Sequence, residues 1–200
     1  MIPIPPIKPQ ITLNQIQLLM KRKGYDSIVS DKYPYCVAIR GYYLDTMGVK
    51  GKNDLNMFDD MVAWVYPNGF ATFNFNTDPT RFGYNKNAGK NMAQLVPGIY
   101  RFVRRRHKNQ YAAFGQGTNI VAVYRRDASG KVTSIEEGQF GINIHKAGIK
   151  GTSSEGCLTV PIQQWDQFKS LGYNIIGASG REFFPFILFD EETERKIAKF

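Results

Sequence analysis

Short runs of aromatic and β-branched residues, each closed by a turn signal, constrain this chain more than any other feature. "YCVAIRGYY" (35–43), "MVAWVY" (61–66), "FATFNFN" (70–76), "IYRFVRR" (99–105), "YAAFG" (111–115) and "IVAVYRR" (120–126) are separated by turn-formers such as "PNG", "VPG", "GQGTN" and "DASGK". Runs this short, joined by such tight turns, pair as hairpins and meanders. They predict a mainly β chain with a few helices, its mixed sheet arranged as a sandwich or partly open barrel. The 19 Gly, 14 Phe and 11 Tyr among 200 residues fit that architecture and not a helical bundle.

Two segments break the strand pattern. Residues 1–24 read as an N-terminal arm, "MIPIPPIKPQ", and a helix from Leu13 to Lys23. Thr12 caps that helix, Gln15 completes a capping box and Gly24 stops it, with Leu13, Ile16, Leu19 and Met20 on one apolar stripe. Residues 25–200 then form a single domain. Within it "PIQQWDQFKSLG" (161–172) predicts a second helix, with Pro161 near its first position, Gly172 past its end, and a buried stripe of Ile162, Trp165 and Phe168. "FFPFILF" (183–189) predicts a strand that Pro185 pushes to an edge or bulge, and "DEETERKIAKF" a charged tail.

The formal charge of +9 favours a polyanionic partner: nucleic acid, anionic lipid or a bacterial wall. It chooses none of them. Nucleic acid is not the expected partner, because no recognition helix or stacking motif accompanies the arginines mixed with Tyr100, Phe102 and Tyr111. No uninterrupted apolar run of about 18 residues occurs, so no membrane span is expected, and the chain as given shows no ordinary export signal. Cys36 alternates with Ala38 in an apolar strand and reads as core. The two His and two Cys would bind zinc only if all four converged, which their spacing does not suggest; no metal and no cofactor are expected. Asp59, Asp60, Asp78 and Asp127 read as caps of local turns.

The chemistry concentrates in "GINIHKAGIKGTSSEGCLTVP" (141–161). With a period of two, Phe140, Ile142 and Ile144 point into the core and His145 shares the opposite face with Asn143. A base held at a strand end, followed by a Gly/Ser/Thr loop and a cysteine in a turn, is what thiol activation needs. Ser154, Glu155, Gly156 and Cys157 can present consecutive backbone amides to a developing oxyanion. Spacing alone leaves two readings open, because free cysteines are commonly buried and a lone histidine commonly has a structural partner.

"HK…TSSEGCLTV" resembles the active-site signature of the L,D-transpeptidases, cysteine enzymes of the bacterial cell wall. His145 matches the family's base, Ser154 its hydroxyl position, Gly156 its glycine, Cys157 its nucleophile and Leu158 its apolar residue. Lys146 holds the position whose backbone carbonyl orients the histidine, and "VPGIY" (96–100) is similar to a turn the family carries ahead of the site. Glu155 stands in place of a second histidine, Thr159 in place of Asn or Arg, and the loop is shorter. "AIRGYY", "NMFDD", "NTDP", "VYRRD" and "GINIH" more loosely resemble a phage and prophage group with the same site.

The resemblance implies an L,D-transpeptidase-like catalytic domain over residues 25–200, acting on peptidoglycan stem peptides through an acyl-enzyme, as a transpeptidase or as an L,D-carboxypeptidase or endopeptidase. It implies work in the periplasm or cell wall, with delivery by phage lysis or a secretion system, and an immunity partner if the protein is an antibacterial effector. The basic run holding His107, Arg104 and Arg106 reads either as a solvated hairpin rim or, by the resemblance, as candidates for the substrate wall, with Thr159 beside the nucleophile. The rival reading is a non-catalytic cell-wall binding module.

Overall fold

All six aromatic and β-branched runs form strands in the computed structural model, which describes residues 4–27, 32–43 and 45–190. Residues 1–3 of the arm and the charged tail beyond Asp190 lie outside the described residues. The strands are β1 (Tyr35–Arg40), β2 (Asp60–Tyr66), β3 (Gly69–Phe75), β4 (Tyr84–Asn85), β5 (Lys90–Asn91), β6 (Ala93–Leu95), β7 (Gly98–His107), β8 (Tyr111–Gln116), β9 (Val121–Arg126), β10 (Val132–Gly138), β11 (Asn143–Lys146), β12 (Leu158–Val160) and β13 (Phe183–Asp190). Helix α1 (Leu13–Arg22) precedes β1, and α2 (Ile162–Ala178) connects β12 to β13.

Eight strands form one mixed sheet in the order β12-β11-β8-β7-β13-β1-β2-β3. Its two edges meet: the backbones of Asn76, just after β3, and Thr159 of β12 exchange hydrogen bonds of 2.9 and 2.8 Å. That single bridge bends the sheet into a partly open barrel, the mainly β architecture expected from the sequence. Strands β10, β9 and β6 make a second sheet, and β4 and β5 a short hairpin. Among the described residues no helix is long and apolar enough to cross a membrane.

Period-two alternation divides the central strands between two cores. Cys36 and Ala38 of β1, Val62 and Trp64 of β2, and Phe184, Phe186 and Leu188 of β13 face the interior. Their neighbours Val37, Ile39, Met61, Ala63, Val65, Ile187 and Phe189 face outward under α1. Because both faces are covered, these strands read as continuous apolar runs. The α1 capping box is present as expected, and Ile16, Leu19 and Met20 are its buried residues. Burying each of those side chains stabilises the helix's attachment by about 1.5–3 kcal/mol.

Four expectations change. Helix α2 does not stop before Gly172 but continues to Ala178, and Gly172 is a point of close approach: a Cβ there would stand 2.5 Å from the Trp64 ring and 2.6 Å from Phe114. Ile162 lies outside the buried stripe, at 43% exposure, and the face that packs is Trp165, Phe168, Gly172 and Ile176. Pro185 sits inside the sheet, because β13 runs between β7 and β1. Its missing N–H is tolerated there because β1 pairs with β13 only from Cys36 opposite Phe186 onward.

Asp60 and Asp78 are also not caps of local turns; Asp59, which does accept from the nearby Asp54 N–H, is buried with them. They are fully buried together around Arg40, whose Nε lies 3.2 Å from Asp78 Oδ1. Asp60 accepts from the backbone N–H groups of Gly41 and Thr77, and Asp78 from Gln94 and Asn53. Asp127 behaves as expected, accepting from Ser129 and Lys131 in its turn.

Candidate active site

The strand register brings the chemistry-bearing residues of the 141–161 segment to one place. Strands β11 and β12 run parallel, with Ile144 opposite Leu158 and His145 opposite Thr159, so Cys157 enters the sheet beside Asn143. Strand β8 lies antiparallel to β11, with Gly115 opposite Asn143. A Cβ on Gly115 would come within 2.5 Å of Asn143 Oδ1, so glycine there makes room for the Asn143 side chain. The β7–β8 hairpin ends with His107 opposite Tyr111, and Asn143 Nδ2 donates to His107 Nδ1 at 3.1 Å.

His145, Asn143 and His107 therefore share one face, as the period of two requires for the first two. The rings of His107 and His145 stack at 4.1 Å with planes 28° apart. One ring nitrogen of each histidine and the sulfur of Cys157 all lie within 4.8 Å of one another. The four histidines and cysteines do not all converge, in line with their spacing, but three of them do; Cys36 alone stays apart, fully buried in β1.

His145 Nδ1 lies 2.7 Å from the carbonyl oxygen of Lys146. A carbonyl can only accept, so Nδ1 carries the proton and Nε2 keeps the basic lone pair. Burial, the neighbouring His107 and the charge of Lys108 pull the His145 pKa down to about 4, against the opposing Lys146 hydrogen bond. Burial, Lys108 and Arg105 also lower His107. The Cys157 thiol is raised above its ordinary value by burial, although the Asn143 backbone N–H, Lys108 and Arg105 oppose that rise. Half-buried, it opens on one side to a cleft while packed neighbours surround the rest. The resting dyad is thus neutral thiol and neutral imidazole, not an ion pair.

The turn ahead of the thiol is held by Ser154. Its hydroxyl donates to the Cys157 carbonyl at 2.5 Å and accepts from the Gly156 N–H at 3.0 Å. Ser154 N–H in turn donates to Thr80 Oγ1, tying the loop to the segment after β3. Gly156 has φ +139°, and a Cβ there would meet the Ala93 side chain at 2.8 Å, so both backbone and space demand glycine. Because the Gly156 N–H is taken up by Ser154 and the Ser154 N–H by Thr80, those two amides of the turn are not available to a ligand.

The cleft over the thiol encloses about 840 Å³. Its walls carry Arg81, Lys86 and Lys108 against a single acid, Glu155, at the mouth. Arg104 and Arg106, the cations expected from sequence, do not line it. On β7 they alternate with His107, so they point to the opposite face: Arg104 lies over the Tyr173 ring and Arg106 bonds the carbonyls of Asn109 and Gln110. Arg105 shares the histidine's face. Thr159 is also unavailable to a ligand, being fully buried in the bridge that closes the barrel.

Reading the sequence missed the "YNKNAGKN" hairpin, whose Tyr84, Asn85, Lys86 and Asn87 form one wall of the cleft. Its Gly and Asn turn signals mark a loop, and nothing local shows that the loop reaches the thiol. Tyr111, four residues after His107, stands at the same site. Its ring lies 5.5 Å from that of His107, and burial and the nearby Cys157 raise its pKa. The chain matches no protein-family model, no curated protein and no solved structure.

Proposed function

We propose that the protein is a cysteine enzyme that acts on peptidoglycan stem peptides through an acyl-enzyme, with Cys157 as nucleophile and His145 as base. The observation that carries this reading is the pairing at the cleft floor: Cys157 Sγ within 4.8 Å of a ring nitrogen of His145, whose Nδ1–H is locked onto Lys146 so that Nε2 is free to take a proton. The sequence resemblance to the L,D-transpeptidases supplies the substrate class, and the cationic cleft suits a peptide rich in carboxylates.

In this mechanism Nε2 takes the thiol proton as sulfur attacks the carbonyl of the diamino acid's L-centre. The neutral resting pair means that proton transfer accompanies attack, and the low basicity of buried His145 makes its imidazolium a strong acid toward the leaving amine. That proton goes to D-alanine, the C–N bond breaks and a thioester remains. In this reading the backbone N–H groups of Glu155 and Cys157 meet the oxyanion. A second stem's amine then gives a cross-link, and water gives hydrolysis.

The reading extends to place: the protein works in the bacterial periplasm or cell wall, delivered by phage lysis or a secretion system, with an immunity partner in the second case. Mass spectrometry of muropeptides after incubation tests it. Wild type should release D-alanine or shorten a cross-link, and Cys157→Ala should lose at least about 10⁴-fold in rate. Undiminished turnover by Cys157→Ala would exclude the mechanism, and binding without turnover by wild type would favour a wall-binding module.

A further inference from the structure

We propose that His107, His145 and Cys157 also form a three-ligand site for a zinc-like divalent cation, and that filling it silences the thiol. The donor set is two imidazoles and one thiolate, which suits Zn²⁺ and not the oxygen-seeking Mg²⁺ or Ca²⁺. The donor atoms already lie within 4.8 Å of one another. A tetrahedral zinc, with its usual bond lengths, holds such atoms roughly 3.3–3.6 Å apart. Side-chain rotations of about an ångström close that gap.

The surroundings are those of a metal site. In each ring Nδ1 is already engaged, by the Lys146 carbonyl in His145 and by the Asn143 amide in His107, which leaves Nε2 as the free nitrogen. Such outer hydrogen bonds are how metal-binding histidines are oriented. Asn143 also carries a buried Oδ1 with no hydrogen-bond partner among the described residues. Rotating its amide by half a turn gives that oxygen the His107 Nδ1–H and leaves the Nε2 lone pair for the metal. The fourth position faces the cleft, where water or a ligand carboxylate can occupy it.

Binding balances simply. Zn²⁺ displaces the thiol proton to solvent and gains a Zn–S bond and two Zn–N bonds, and the imidazoles keep their net proton count. The bound ion occupies both the sulfur and the lone pair of His145. The binding claim stands on geometry alone; the silencing claim rests on the reading of Cys157 as nucleophile.

The test uses the full chain, stripped by a chelator and dialysed. Zinc titration should show one ion and one released proton per chain, with affinity sharply reduced in Cys157→Ser and in His107→Ala. Cobalt should give a thiolate charge-transfer band that Cys157→Ser lacks. At mildly alkaline pH and zinc 100 times its Kd, alkylation of Cys157 should slow by about 100-fold and recover on adding chelator. No binding above the level of Cys157→Ser, or binding undiminished in both variants, overturns the site. Muropeptide turnover that zinc leaves unchanged or raises overturns the silencing. A stripped protein that turns over muropeptides but binds no zinc loses only this inference. One that binds zinc without turnover keeps the site and loses the proposed function.

Discussion

The molecule holds two clusters of titratable side chains, and they are built for opposite ends. Around Arg40, Asp59, Asp60 and Asp78 are sealed from solvent and their oxygens are largely spent on backbone and side-chain donors. Around Cys157, two histidines are held from behind through Nδ1 while their other nitrogens and the sulfur open on a cleft. Both clusters have displaced pKa values. Perturbation alone therefore does not mark a functional site; access and unspent bonding capacity do.

Breaking each cluster should separate them. Arg40→Met strands buried carboxylates and should cost about 3–5 kcal/mol of stability, read by denaturant unfolding. Cys157→Ala should leave the unfolding free energy within about 0.5 kcal/mol of wild type. Equal losses of stability in the two variants would erase the distinction. The aromatic core sets the scale: Gly172→Ala drives a methyl against Trp64 and Phe114 and should cost about 1–3 kcal/mol.

On the open side, replacing Lys86 and Lys108 together with Met should raise KM a few-fold, in line with about 0.2–1 kcal/mol per exposed charge pair. An unchanged KM would mean that the cationic walls do not meet the substrate. On the sealed side the smallest effect is a slope. Burial and the neighbouring Asp78 and Asp54 charges raise Asp59 to about 7, despite the opposing Asp54 N–H. From the ordinary carboxylate range up to that value the folded state holds a proton that the unfolded chain has lost. Stability should therefore fall as pH rises through this window, and fall less in Asp59→Asn. Parallel profiles for the two proteins would refute the assignment.

How much of this the sequence discloses depends on how local the cause is. The α1 capping box is local, and Thr12 and Gln15 announce it. The placing of His145 opposite the core-facing Ile142 and Ile144 is nearly local, because strand period fixes it. The "RRR" run at 104–106 is harder. Without the strand's ends its register is open, and a slip of one residue exchanges Arg105 for Arg104 and Arg106 at the cleft. Gly172 imitates a helix stop because its reason, two aromatic rings, comes from β2 and β8. The Arg40 cluster, the β4–β5 wall and the arrival of His107 beside His145 are all long-range. No single segment carries them.

The most direct measurement is the intact mass of the protein mixed with a disaccharide tetrapeptide. The proposed chemistry predicts a transient adduct equal to the substrate less D-alanine, carried on Cys157, labile to hydroxylamine and missing from Cys157→Ala. Release of D-alanine with no adduct on Cys157, at a rate that Cys157→Ala matches, would contradict it.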